Sequence, residues 1–180
     1  MPRIFIAIDL PKEIKDYLFE LQKQIQKQLD VKVKWTAKKN LHLTLKFLGD
    51  ISEQQLTQLK KHLQQITFKK FEASLNQIGF FPSSAKPRIL WVDLHPPTNI
   101  INLQQLIDQE TLFISTREQE FKTHLTLGRI KLIKNKETIK SLQKIKIQNK
   151  KTTITKFQLM QSTLTKDGPK YTTLQEYELN

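Results

Sequence analysis

Two of the four histidines in this chain open the same four-residue frame, His-Leu-Thr-Leu, at residues 42–45 and again at 124–127. Both frames lie in alternating runs, LHLTLKFLGD and THLTLGRI, that read as β-strands. Successive side chains in a strand point to opposite faces. Leu41, Leu43, Leu45 and Phe47 are therefore expected on one face, and His42, Thr44 and Lys46 on the other. In the second strand Leu125 and Leu127 point one way, His124 and Thr126 the other. The leucine faces can bury in a core. If the two halves of the chain face each other, two imidazoles and two hydroxyls line one cleft.

That set suits one chemistry well. Imidazole titrates near neutrality, so one ring can be neutral while the other is protonated. The neutral ring takes a proton from attacking water, and the protonated ring gives one to a leaving oxygen. Each role contributes roughly 10²–10⁴-fold. Threonine hydroxyls and nearby backbone N–H groups can hold non-bridging phosphate oxygens as charge builds on them. The result is a phosphodiester site that needs no metal. A single His-x-Thr on a strand is commonplace, and it is the repetition with matching leucines that carries the reading. His62, off the apolar stripe of a helix, and His95, before Pro-Pro, belong to no repeated frame.

Other residues are candidates beside the pair. Lys46 would add positive charge on the histidine face, or sit solvated at a strand end. Arg129 alternates onto the face opposite Thr126 unless Gly128 bends the chain, which glycine allows cheaply. Turned back, its guanidinium would stack on a base or pair with a phosphate. Trp35, Trp91, Phe80 and Phe81 are the aromatic side chains that could stack a base, with core packing the alternative for Trp91.

Composition removes several function classes. There is no cysteine, which excludes thiolate nucleophiles, disulfides and thiolate metal sites. The four glycines form neither GxxxxGK[ST] nor GxGxxG, so no nucleotide-cradling loop is present. No His/Asp cluster has short metal-ligand spacing, and neither metal nor cofactor is expected. Formal net charge is +13, which suits a polyanionic partner, although only four of the 30 basic residues are Arg and a Lys-rich chain also arises from codon bias. The apolar start is interrupted by Asp9 and reads as a strand, and no stretch approaches the roughly 20 apolar residues of a membrane span. A cytoplasmic monomer that does not bind membranes is expected.

Strands are expected at 3–9, 31–35, 41–48, 71–80, 88–94, 123–130, 152–164 and 171–179. Helices are expected from Pro11, with Ile14, Leu18, Leu21 and Ile25 on one stripe, from the Ser52/Gln55 capping box, over 99–111 and over 135–145. KDGP at 166–169 is a hairpin turn. Strands grouped with strands argue for α+β with antiparallel pairing. Each half holds one histidine strand and two helices, which points to duplication about a pseudo-two-fold axis within a single domain spanning 1–180.

RIFIAIDLP at the start, Trp35 followed by LHLTLKFLGD, FPSSAKPRILWVDL at 81–94, HLTLGRI, and LMQSTLTKDGPKYTTLQEYEL at 159–179 together carry a resemblance. The chain resembles the 2H phosphoesterases, and within them the RNA 2′,3′-cyclic phosphodiesterases, also called 2′-5′ RNA ligases. The resemblance implies a bilobal α+β fold, with two antiparallel sheets and outer helices around a central cleft. It implies hydrolysis of RNA 2′,3′-cyclic phosphate ends, or of cyclic nucleotides, to 2′-phosphates, and reversible ATP-independent 2′-5′ joining in tRNA fragments. His42 and Thr44 match the first motif and His124 and Thr126 the second, while Arg129 matches a basic residue that contacts the nucleotide. His124 is assigned as base and His42 as acid toward the 3′-oxygen, with the swap as alternative. A 2H esterase for a small cyclic phosphate, such as ADP-ribose cyclic phosphate, is the rival enzyme. A non-catalytic RNA-binding module is the rival outside catalysis, and it would need neither imidazole.

Overall fold

The β-branched run at the N-terminus forms β1 (Arg3–Asp9), and the stripe after Pro11 forms α1 (Lys12–Gln28). β2 (Val31–Trp35) and the first histidine strand, β3 (His42–Asp50), follow. Ser52 then caps α2 (Glu53–Gln64): its side chain accepts from the Gln55 N–H while the Gln55 side chain accepts from the Ser52 N–H. The chain continues through β4 (Phe71–Phe81), β5 (Ile89–His95), α3 (Thr98–Glu110), the second histidine strand β6 (Leu125–Ile133) and α4 (Glu137–Gln143). It ends with β7 (Lys151–Ile154), β8 (Lys156–Thr165) and β9 (Gly168–Glu178). The computed structural model describes residues 1–135, 137–166 and 168–180. Lys136, at the start of the expected fourth helix, and Asp167, in the expected KDGP turn, lie outside the described residues.

All pairings are antiparallel, along the path β7-β4-β5-β6-β3-β1-β8-β9, with β2 also on β6. The path has one narrow place. β3 and β6 share a single register pair, Leu43 with Leu125, so two half-sheets meet at a seam between the two motifs. α2 packs on α3 and β9, and α3 on β3, while α1 packs on β2 and α4 on β4. Each half-sheet thus carries one histidine strand and two helices, but it is woven from both halves of the chain. The expected single strand over 152–164 is two strands. It breaks at Thr155, whose carbonyl accepts from Leu179 N–H, because the chain leaves β4 there and crosses to β1.

The motif leucines are buried: Leu41, Leu43, Leu125 and Leu127 are fully enclosed and Leu45 nearly so. Each buried leucine contributes about 1.5–3 kcal/mol, which fixes the register and leaves the histidine face free. Alternation does not run on past the motif, however. In β3 the pairing with β1 passes from Ala7–Thr44 to Ile6–Lys46, so Leu45 is bulged. In β6 the pairing with β5 passes from Trp91–Thr126 to Leu90–Gly128, so Leu127 is bulged. The two bulges fall at the same place in the two frames.

Candidate active site

The first bulge overturns the expected position of Lys46. It sends Lys46 to the helix side of the sheet, where the side chain is almost wholly buried and Nζ lies 2.6 Å from Asp108 Oδ1 on α3. Lys46 Nζ also donates to the Thr116 carbonyl at 2.6 Å. Lys46 therefore does not add charge to the cleft. Phe47 takes the place it vacates, 68% exposed and with its ring centroid 5.8 Å from that of Phe5. The second bulge realises the bend at Gly128. There is no room for a side chain at that position, since a Cβ would lie 2.5 Å from Val33 Cγ1 and 2.9 Å from the Lys34 carbonyl oxygen. Arg129 follows as an exposed residue. Gln22 of α1 holds this bulge, donating to the Leu127 carbonyl at 2.9 Å and to that of Thr36 at 3.0 Å.

The two histidines are anchored in the same way. His42 Nδ1 lies 2.7 Å from the Asn40 carbonyl oxygen, and His124 Nδ1 lies 2.7 Å from that of Lys122. A carbonyl can only accept, so Nδ1 carries the proton in each ring and Nε2 is the nitrogen left for proton transfer. His42 Nε2 lies 2.9 Å from Thr44 Oγ1. An aromatic edge packs against each imidazole: Tyr171 on His42 and Phe81 on His124, both nearly perpendicular. Phe5 is a second neighbour of His42, and Trp91 of His124. Asn40 also donates from Nδ2 to the Pro169 carbonyl at 2.8 Å, tying the start of β9, which carries Tyr171, to the first motif.

Burial lowers both imidazole pKa values below the ordinary histidine value. The remaining influences differ between the rings. The Asn40 carbonyl and then the Asp9 carboxylate push His42 back up, opposed by Lys15 and by His124 across the seam. The Lys122 carbonyl raises His124, while the Lys122 ammonium lowers it. Arg129 also acts across the seam: burial raises the Tyr171 hydroxyl, and the Arg129 charge pulls it down.

The site therefore gathers His42, Thr44, His124 and Thr126 at the seam, with Arg129 near enough to act on Tyr171. Lys46 is excluded. Of the aromatic candidates, Phe81 reaches His124. Trp91 packs behind it, buried, with Gly79 under its indole. Phe80 is core, and Trp35 donates from Nε1 to Gln26. Asn40, Phe47 and Tyr171 carry no signal in the sequence pattern. Among the described residues no group of three His, Asp or Glu side chains converges to hold a metal ion.

The family model described as LigT like Phosphoesterase matches this chain twice, over residues 8–91 and 92–171. The chain belongs to the LigT-like phosphoesterase family. Each match contains one His-Leu-Thr-Leu frame, and the two divide within β5 beside Trp91. LigT-like relatives extend along the whole chain. It is 32% identical to the RNA 2′,3′-cyclic phosphodiesterase of Methanocaldococcus jannaschii, over 97% of this chain and 99% of that one. It is 32% identical to that of Aquifex aeolicus, over 98% and 97%. Among solved LigT-like structures, apo E. coli LigT superposes with a TM-score of 0.80 at 25% identity, over 99% of this chain and 98% of that one. The same protein complexed with 3′-AMP gives a TM-score of 0.79 at 25% identity, over the same shares.

Proposed function

We propose that this chain hydrolyses the 2′,3′-cyclic phosphate ends of RNA to 2′-phosphates by general acid–base catalysis without a metal. The observation that carries the reading is the matched pair of imidazoles, each locked by Nδ1 onto a backbone carbonyl and each offering Nε2 at the seam. The relatives named RNA 2′,3′-cyclic phosphodiesterase supply the substrate class.

In the proposed division of labour His124 is the base and His42 the acid. Asp9, paired with Lys15, favours imidazolium at His42 against the opposing charges of Lys15 and His124, and the Lys122 ammonium favours neutral imidazole at His124. His124 Nε2 accordingly takes the proton of the attacking water as its oxygen bonds to phosphorus. His42 Nε2–H protonates the 3′-oxygen as the P–O3′ bond breaks. Thr44 and Thr126 stand on the same face as the imidazoles and donate to the non-bridging oxygens, where charge builds. With a 5′-hydroxyl in place of the attacking water, the same pair joins its oxygen to phosphorus as the P–O3′ bond breaks, so 2′-5′ ligation needs no further catalytic group, and the reverse of that step cleaves the 2′-5′ linkage.

In this reading the chain is one domain of two pseudo-symmetric lobes, each giving one motif strand, and the tandem family match supports it. It acts as a cytoplasmic monomer on RNA ends such as those of tRNA fragments. Among the described residues no helix is long and apolar enough to cross a membrane. The test is turnover of a 2′,3′-cyclic mononucleotide in excess EDTA, with the product isomer identified by phosphorus NMR. A 2′-phosphate product supports the reading. Activity that EDTA abolishes and a divalent metal restores would overturn it, and turnover confined to ADP-ribose cyclic phosphate would favour the small-molecule esterase.

A further inference from the structure

A cavity of about 700 Å³ opens beside the second motif, lined in part by Phe81, whose ring also packs edge-on against His124. Its walls include two aromatic rings, Phe81 and Phe121, and two cations, Arg88 and Lys122, with the Glu120 carboxylate between them in sequence. Arg88, Lys122 and Glu120 form no ion pair among the described residues, although they line one space and carry opposite charges. Lys122 Nζ instead sits 4.8 Å over the Trp91 ring. The cavity is thus amphipathic and its charges are unspent. Its volume lies within the range of small-molecule sites, roughly 300–1,000 Å³.

The catalytic seam has no need of this space. The terminal cyclic phosphate is served by the two imidazoles, the two threonines and Arg129. We propose that the cavity is a second nucleotide subsite, taking the nucleotide that adjoins the terminal one in the RNA chain. The proposal rests on the RNA reading above. The flanking base stacks against Phe81 and Phe121, which suits any base because every base has a π-face. The connecting phosphodiester lies against Arg88 and Lys122, and the guanidinium can grip two of its oxygens at once. Glu120 repels a phosphate placed beside it and accepts instead from an exocyclic amino group or a ribose hydroxyl, which sets the polarity of the bound nucleotide. The subsite gives a physical reason for the enzyme to prefer RNA ends over free cyclic nucleotides.

The test compares a 2′,3′-cyclic mononucleotide with a dinucleotide ending in the same cyclic phosphate, in the native chain and in Arg88→Ala and Phe121→Ala. The native chain is expected to show about a tenfold lower KM for the dinucleotide, the size of one stacked base. Each variant should lose most of that advantage while its kcat and KM for the mononucleotide stay within twofold. Calorimetric titration with the 2′-phosphorylated mono- and dinucleotide products reads the same difference without turnover. Equal KM and equal affinity for the two lengths in the native chain would overturn the subsite, as would an advantage that survives in both variants. If neither cyclic substrate is turned over but the dinucleotide product still binds tighter and Arg88→Ala abolishes the difference, the hydrolase reading fails and the subsite stands.

Discussion

Phe47 and Arg129 hold equivalent places in the two motif strands. Each is the fifth residue after its histidine, each follows a bulge at the frame's second leucine, and each is exposed. One half-sheet thereby offers an aromatic face beside His42, through Phe5 and Tyr171, and the other offers a guanidinium whose charge reaches Tyr171.

If these two residues hold the terminal nucleotide, Phe47→Ala and Arg129→Ala should each raise KM for a 2′,3′-cyclic mononucleotide about tenfold. Their kcat should stay within a few-fold. Arg129→Lys should restore little, because an ammonium lacks the planar fork. Steady-state kinetics on the three variants checks this, and an unchanged KM in Phe47→Ala and Arg129→Ala together would remove both residues from the binding site.

The pH profile follows from the burial of both imidazoles. The base's pKa sets the acidic limb and the acid's pKa the alkaline limb, and both are lowered in the free protein. The optimum of kcat/KM should therefore fall on the acid side of about 6.5. A bound phosphodiester anion favours imidazolium, so the optimum of kcat should lie at higher pH than that of kcat/KM. The two apparent pKa values belong to the pair. The unfolded chain takes up these protons near 6.5 and the folded chain only lower, so stability falls as pH drops through that window. Coincident optima for kcat and kcat/KM above pH 7 would contradict the burial argument.

The ion pair between Lys46 and Asp108 carries a stability prediction. It links β3 to α3, and through the Thr116 carbonyl and the Glu118 N–H, which donates to Asp108 Oδ2 at 3.0 Å, it holds the segment leading to His124. Lys46→Ala leaves a buried carboxylate unpaired and should cost about 3–5 kcal/mol in chemical denaturation. Adding Asp108→Leu should recover part of that loss. A Lys46→Ala loss below ~1 kcal/mol would show that the pair is not buried in solution.

Gly79 faces Trp91 across the β4–β5 ladder, and a Cβ there would lie 2.1 Å from the indole ring. Gly79→Ala should cost about 1–3 kcal/mol of stability by overpacking and lower kcat by displacing the indole behind His124. In a Trp91→Ala background the same change should be nearly neutral. A double-mutant cycle measures this, and additive losses would place the collision elsewhere.

The histidine frames, the strands around them and the four helices were legible because repetition and hydrophobic period are local features of the chain, whereas the weaving of each half-sheet from both halves of the chain was not. Lys46 and Phe47 were not, and the reason is physical. Alternation assigns faces only while pairing is regular, and the bulge at Leu45 exists because Ala7 and Ile6 pair with Thr44 and Lys46. Gly128 was the only visible sign of its counterpart, and Lys46 occupies the same place without being glycine. The break at Thr155 was hidden likewise, since the residues on either side both suit strands and only their partners differ. Tyr171 reads as an ordinary strand residue until Asn40 ties its hairpin to the first motif.

His42 and His124 are proposed to act together as acid and base at the seam. The most direct measurement is the turnover rate of a 2′,3′-cyclic mononucleotide in EDTA by the native chain, His42→Ala and His124→Ala, beside the melting temperature of each. Either substitution should lower kcat by at least about a hundredfold, with melting temperatures close to that of the native chain. Near-native turnover in either variant would contradict it.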